Sequence, residues 1–308
     1  MTIKLAFATV ACPDWTIQQI AQQGKAMGYD GVELRTLGEA ATSLAGDPAR
    51  LGADVVRTAL QDAGLAPACL STSASLHYRE KQQGTQAHEQ MTRAIALAAE
   101  LGCPNVRIFG HDIESWQTRH AGLERIAGRV LPLAEQAAKV GVTILFENAG
   151  GLCTAREWWQ LLELVQQPNV SLLWNVANAA AAGEGAVASV AVLNTRIRMA
   201  KVKDLRLNQE GERGFTQLGE GDVGVATFVN RLRGIGFDGW ISVEWDRLWL
   251  PALAPAEAYL PEAAKRLRGW INPAPKPAPV KKVEKAPAPA APPVPAAPVV
   301  AAASATGG

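Results

Sequence analysis

The chain has 308 residues, 48% of them hydrophobic, with 30 Lys+Arg against 29 Asp+Glu. So even a charge balance gives no field to recruit nucleic acid or an anionic membrane, and no basic stripe interleaved with aromatics is present. No apolar run is long enough to span a bilayer, and the first ten residues enter a strand without a basic, apolar and cleavage-site sequence of the secretory kind. Cys12, Cys69, Cys103 and Cys153 form no C-x-x-C pair, so reduced thiols in a cytoplasmic setting are expected.

Taken in order, short apolar strands alternate with amphipathic helices. Strand 3–9 leads to helix 16–27, and Gly28-Tyr-Asp-Gly31 turns the chain into strand 32–35. A helix follows Asp47-Pro48, where Asp caps and Pro suits the first turn. Strand 65–71, helix 85–101, strand 105–110 and helix 123–140 come next, then strand 142–147 and helix 154–165. Strand 170–175, helix 187–193, strand 196–203, helix 225–235, strand 240–244 and helix 255–270 complete the series. About eight such repeats predict an α/β fold, a single (β/α)8 barrel over residues 1–271, a size usual for one closed unit of roughly 250 residues. An open nucleotide-binding sheet is disfavoured, because no Gly-rich fingerprint follows the first strand. From 272 to 308 the sequence is Pro/Ala/Lys-rich, poor in large apolar side chains, and is expected to be a disordered, extended tail.

Two strands end in a carboxylate: Thr143-Ile-Leu-Phe-Glu147 and Trp240-Ile-Ser-Val-Glu244. The C-terminal strand ends of a barrel share one mouth, so Glu147 and Glu244 are expected to meet there as a proton-transfer pair or as ligands of a cation. Asn175 and Lys201 end the two intervening strands, and Lys203, two residues on, shares the face of Lys201. Lys201 between the glutamates would stabilise an enediolate as a metal does. Two neighbouring amines would instead depress each other's pKa and favour an imine with a carbonyl substrate. A buried ion pair filling a dead site is the bland alternative.

Further candidates lie around the same mouth. Glu33 and Arg35 alternate on the second strand, His77 follows the third, and Arg107 and His111 sit on and just after the fourth. Arg107 either binds a substrate oxygen or pairs with Glu33 or Glu147. The segment 211–222 reads as a flexible lid whose Arg213 closes on substrate; its Gly-Glu-Gly-Asp run lacks the Lys-Ser/Thr of a phosphate loop. Trp174, Trp240, Trp245 and Trp249 are candidates for an aromatic wall, though a Trp beside a strand commonly serves the core. Cys12, Cys69 and Cys153 near strand ends are read as small buried side chains, a catalytic thiol being the minor alternative. His88 and His120 fall on helices.

The order Phe-Glu-Asn148, Trp-Asn-Val-Ala-Asn178, Lys-Val-Lys-Asp204, Leu-Gly-Glu-Gly-Asp-Val223 and Gly-Trp-Ile-Ser-Val-Glu-Trp245 resembles the xylose-isomerase-like barrel superfamily of sugar-phosphate isomerases and epimerases. The resemblance covers roughly residues 3–270 and includes the Gly-Tyr-Asp-Gly-Val-Glu-Leu turn. It implies carbohydrate metabolism and a divalent metal (Mn, Mg, Co or Zn) held by Glu, Asp, His and Glu. Glu147 and Glu244 match the two glutamates, but Asn175 stands at the Asp position and Lys201 at the His position, so no cofactor is expected here. If a metal binds, Glu147 and Glu244 are its ligands. Asn178 falls where some members carry a substrate-contacting His. The endonuclease branch is disfavoured, since four histidines, two on helices, do not supply a multi-zinc cluster.

The expected function is therefore isomerisation or epimerisation of a sugar or keto-polyol, with proton transfer by Glu147 and Glu244 and with Lys201 in place of a metal. Asn175, Asn178, Lys203, His111, Arg107, Glu33 and Arg213 would bind substrate. A keto-sugar lyase or dehydratase, and a silent carbohydrate-binding barrel, are the alternatives. The expected partner is a small sugar or polyol, with no nucleic acid or membrane, and the chain is compatible with a homo-oligomer.

Overall fold

A computed structural model describes residues 2–38, 40–113 and 117–273. Eight parallel strands close into a barrel: β1 (Lys4–Ala8), β2 (Gly31–Arg35), β3 (Ala66–Ser75), β4 (Asn105–Phe109), β5 (Thr143–Glu147), β6 (Val170–Asn175), β7 (Ile197–Val202) and β8 (Trp240–Val243). Closure is made by β1, which pairs with β2 on one side and β8 on the other. The helices form the outer layer, and the last of them, Ala256–Ile271, ends the barrel. The tail expected from 272 onward lies, past Pro273, outside the described residues. No helix among the described residues is long and apolar enough to cross a membrane.

Local sequence explains the helix boundaries. Thr16 starts the helix Ile17–Ala26 with a capping box: its hydroxyl accepts from the Gln19 amide while the Gln19 side chain accepts from the Thr16 amide. Asp47 caps Pro48–Leu51, and Gly102 closes Lys81–Leu101 in the left-handed conformation. One short helix, Val176–Ala181, is absent from the sequence reading. It is too short to show helical periodicity, and its cap is Asn175, a residue the sequence marks for chemistry.

Side-chain alternation along the strands positions the site. Outward residues such as Phe146, Trp174, Ala200 and Val243 pack into the helical layer. Inward residues form an apolar floor of Ala6, Ala68, Cys69, Leu145, Leu173 and Met199, against which Trp240 packs. One inward step towards the C-terminal end, Leu145 gives way to Glu147, Leu173 to Asn175, Met199 to Lys201 and Trp240 to Ser242. A charged layer thus lies directly on a dry floor. Gly31 is needed beneath it: a Cβ there would stand 2.5 Å from the Ala66 carbonyl oxygen and 2.7 Å from the Trp240 ring.

The segment expected to be a free lid is instead an anchored hairpin. Asp204–Leu205 pairs antiparallel with Phe215–Thr216, and the buried Asp204 carboxylate accepts from the amides of Leu205 (3.0 Å), Gly219 (2.6 Å) and Val223 (3.2 Å). Glycine content suggested freedom, whereas a single buried carboxylate gathers the loop amides. Asp204→Ala should strip these three amides of their acceptor and lower unfolding free energy by roughly 2–4 kcal/mol, read as a shift in urea midpoint. An unchanged midpoint would show that the hairpin does not depend on this anchor.

Candidate active site

The site lies at the C-terminal ends of the strands and is built around the Lys201 ammonium. Lys201 Nζ lies 2.9 Å from Glu33 Oε1, 2.9 Å from Glu147 Oε2 and 3.2 Å from Glu244 Oε1. Its side chain is 1% exposed; it donates a hydrogen bond to Glu147 and lies at ion-pair distance from Glu33 and Glu244, the three carboxylates coming from β2, β5 and the end of β8. Arg107 Nε pairs with Glu147 Oε2 at 3.0 Å, and its guanidinium also donates to the Thr72 carbonyl. Ser71 donates to Glu33 Oε1 at 2.6 Å.

Asn175 completes the inner shell from β6. Its Oδ1 accepts from the Asn178 amide, which turns Nδ2 towards Glu147 Oε1 (3.0 Å) and Glu244 Oε2 (3.1 Å). An Asp at this position would oppose two carboxylates at hydrogen-bond distance. The amide is therefore the electrostatic companion of Lys201. Asn148 fixes the strand ends by exchanging bonds with the Asn175 backbone, and Asn178 donates to the Asn148 carbonyl.

An outer shell follows towards solvent. Lys203 Nζ lies 2.9 Å from Glu244 Oε2 and 2.7 Å from Asp246 Oδ2, under the ring of Phe215. Phe215 meets Trp245 edge-on, which docks the hairpin against the site. Burial alone would discharge these groups, but each is held charged by its neighbours. Burial opposes the Lys201 ammonium, yet Glu147, Glu244 and Glu33 raise it well above the ordinary lysine value. Lys203 is likewise raised, against burial, by Glu244 and Asp246. Burial would raise Glu33, but Lys201 and Arg107 pull it below its usual range; Glu244 is pulled down, again against burial, by Lys201 and Lys203. The mutual depression of two amines expected from sequence does not occur, because carboxylates stand between and around them. An ammonium so held offers no free amine for an imine.

The candidates divide by place. Glu33, Arg107, Glu147, Asn175, Lys201, Lys203 and Glu244 form one network, and Asn178 joins it through Asn175. Arg35 lies near it, donating to the Ser71 carbonyl and Ser73 hydroxyl; burial and Arg107 push its pKa down to about 9. His111 sits on the rim outside the hydrogen-bonded network, with a left-handed backbone (φ 56°) and its ring against Phe109 and His77. Burial lowers its pKa despite Asp112. Arg213 is not brought to the site: it is exposed in the turn Gly211–Gly214, beside a surface cleft lined by Asn208, Gln209 and Glu210.

The four tryptophans do not form one wall. Trp174 faces the helices, Trp240 supports the floor, Trp245 stacks on Tyr259 at 3.6 Å, and Trp249 is exposed. All four cysteines are free and buried, and burial raises each thiol, so none stands as a thiolate. The sequence reading missed Asp246 and Ser71. Asp246 stands two residues after Glu244, the spacing that ties Lys203 to Lys201, but it lies past the end of β8 at Val243, where that spacing alone does not fix a side chain's direction.

Among the described residues no group of three or more His, Cys, Asp or Glu is arranged to hold a metal ion. The donors present do not fit a divalent cation among these glutamates: an ammonium already fills the position between them, and Asn175 presents N–H rather than oxygen.

Residues 21–270 match the family model described as xylose isomerase-like TIM barrel. The chain belongs to that family. Inosose dehydratase of Lacticaseibacillus casei is 26% identical over 175 residues, covering 52% of this chain and 56% of that protein. The chain thus spans about half the length of the curated relative it matches. Among solved structures of the same fold, an L-ribulose 3-epimerase superposes with a TM-score of 0.73 at 17% identity, covering 88% of this chain and 95% of that one. The IolI protein, solved with a zinc atom, superposes with a TM-score of 0.74 at 17% identity, covering 87% and 98%.

Breaking the central contact should be costly. Lys201→Met strands three buried carboxylates and should destabilise by about 3–5 kcal/mol near neutral pH, read by denaturant unfolding. The wild-type charges contribute fully between the ordinary Glu and Lys values, 4.5 and 10.5, since Glu33 and Glu244 are depressed and Lys201 is raised. That contribution is lost as pH falls through the depressed carboxylate values or rises through the raised lysine value. In the variant the stranded carboxylates bind protons more tightly folded than unfolded, so its deficit should shrink as pH falls towards 5. A deficit independent of pH would contradict this charge arrangement.

Proposed function

We propose that this protein is an isomerase or epimerase of a sugar or keto-polyol that begins with removal of a proton next to a carbonyl and works without a metal. The observation that carries this reading is the Lys201 ammonium fixed among Glu33, Glu147 and Glu244 at the barrel mouth. Removing an α-proton sends negative charge to the carbonyl oxygen, and preorganised positive charge in a water-poor site lowers that state. Lys201 and Lys203 supply such charge with no need for a cation. Glu244, 12% exposed, is the member of the glutamate pair that reaches the mouth. Glu147 is its buried counterpart, linked to it through Lys201 and Asn175.

The names of the similar proteins agree with this chemistry. L-ribulose 3-epimerase and inosose dehydratase are the names of an epimerase and a dehydratase, and removal of a proton next to a carbonyl is a first step open to both reaction types. The dehydratase similarity favours a second reading, a lyase in which the same first step is followed by loss of a β-hydroxyl as water.

The test is solvent-deuterium exchange. The protein incubated in D2O with L-ribulose, D-allulose and an inosose should place deuterium beside the carbonyl of at least one, at the same rate with and without excess chelator. Absence of exchange across the panel would sink the proton-transfer reading, and exchange abolished by chelator would sink the metal-free part.

A further inference from the structure

Glu33 and Glu147 are sealed beneath the ammonium, 1% and 3% exposed, so neither can touch a molecule entering the mouth. Glu244 reaches it, but its two oxygens already accept from Lys201, Lys203 and Asn175. Asp246 differs. Its side chain is 15% exposed, and among the described residues Lys203 is its sole side-chain partner, through Oδ2 alone. Lys203 in turn gives one N–H to Asp246 and one to Glu244, which leaves a third for an incoming oxygen.

We propose, resting on the proton-transfer reading above, that Asp246 is the substrate-facing proton acceptor of this site and that Lys203 is its oxyanion-stabilising partner. The step balances within the site. The substrate C–H bond breaks, its proton passes to Asp246 Oδ1, and its electron pair becomes the enediolate double bond. The carbonyl π pair moves onto oxygen, where the free N–H of Lys203 meets it. In an isomerisation the proton on Asp246 is delivered to the former carbonyl carbon, while the α-hydroxyl gives its proton to the former carbonyl oxygen and its carbon becomes the new carbonyl. In a dehydration the proton on Asp246 goes to the departing β-hydroxyl oxygen, which leaves as water while the carbonyl re-forms. Neither route needs an oxidant, a reductant or another reactant.

The surroundings of Asp246 suit that task. Burial and the Glu244 carboxylate raise its proton affinity, while Lys203 and Lys201 oppose the rise. Glu244, beside two ammonium groups, is held in the opposite direction. A carboxylate that accepts a proton more readily is the better base. The Trp245–Tyr259 stack and the Trp245 indole bond to the Ala254 carbonyl hold the backbone from which Asp246 projects.

The experiment compares wild type, Asp246→Ala and Asp246→Glu for deuterium exchange from D2O into the keto-sugar on which wild type is most active. Asp246→Ala should lose roughly 10²- to 10⁴-fold in exchange rate, with a thermal midpoint near that of wild type. Added formate should restore exchange in proportion to its concentration, and Asp246→Glu should retain part of the rate. Exchange by Asp246→Ala at close to the wild-type rate overturns the proposal. So does a loss that formate leaves untouched, which would make Asp246 only an anchor for Lys203. Absence of exchange by wild type is a separate failure, of the proton-transfer reading itself.

Discussion

A buried primary ammonium surrounded by three carboxylates, two of them buried with it and the third reaching the mouth, is the constraint on which this site rests. Burial opposes the charged forms of Lys201, Glu33 and Glu244, and each is held charged by its neighbours. The charges of the cluster offset one another in part, with Arg107 and Lys203 adding positive charge beside Glu147 and Glu244, and the barrel brings them into register: Glu33 from β2, Glu147 from β5, Lys201 from β7 and Glu244 from the end of β8. Asn175 donates to the Glu147 and Glu244 oxygens that Lys201 leaves, and Arg107 pairs with the Glu147 oxygen that Lys201 also meets. Such a cluster is a poor way to gain stability, because well-packed apolar residues of similar volume commonly do as well or better. Its presence at the functional end of the fold is therefore an argument for chemistry.

The departures from the family pattern make one consistent set. An ammonium at position 201 carries its charge within the side chain, and three carboxylates already balance it together with Arg107. An Asp at 175 would add a further negative group against Glu147 and Glu244, whereas Asn175 donates a hydrogen bond to each. Lys203 and Asp246 extend the pattern one inward step outward, alternating charges from the sealed core to the mouth. The network thereby changes from buried at Lys201 to partly exposed at Asp246.

Much of this was legible in the sequence, for physical reasons. Strand–helix alternation shows because buried parallel strands read as apolar runs, and their C-terminal ends face one mouth by topology. Glu147, Lys201 and Glu244 stood out as charges ending such runs, and two-residue periodicity brought in Lys203. What stayed hidden depends on long-range contacts. Nothing local in Asp204 says that it gathers amides from residues 219 and 223, so the hairpin reads as a loose lid. Arg213 was placed by that lid, and it lies exposed in the turn Gly211–Gly214. Asp246 lies past the last strand residue, where alternation is no longer assured, and only its bond to Lys203 shows that it still faces inward. The sign of the lysine shift was left open by the sequence, since the glutamates and the second amine were both expected near Lys201 and only their distances decide between them.

The claim that an ammonium occupies the cation position is tested most directly by titrating the wild-type protein with Mn2+ and following bound metal by electron paramagnetic resonance. The account predicts no stoichiometric binding at micromolar metal. One tightly bound Mn2+ per chain, lost in Glu147→Gln and in Glu244→Gln, would contradict it.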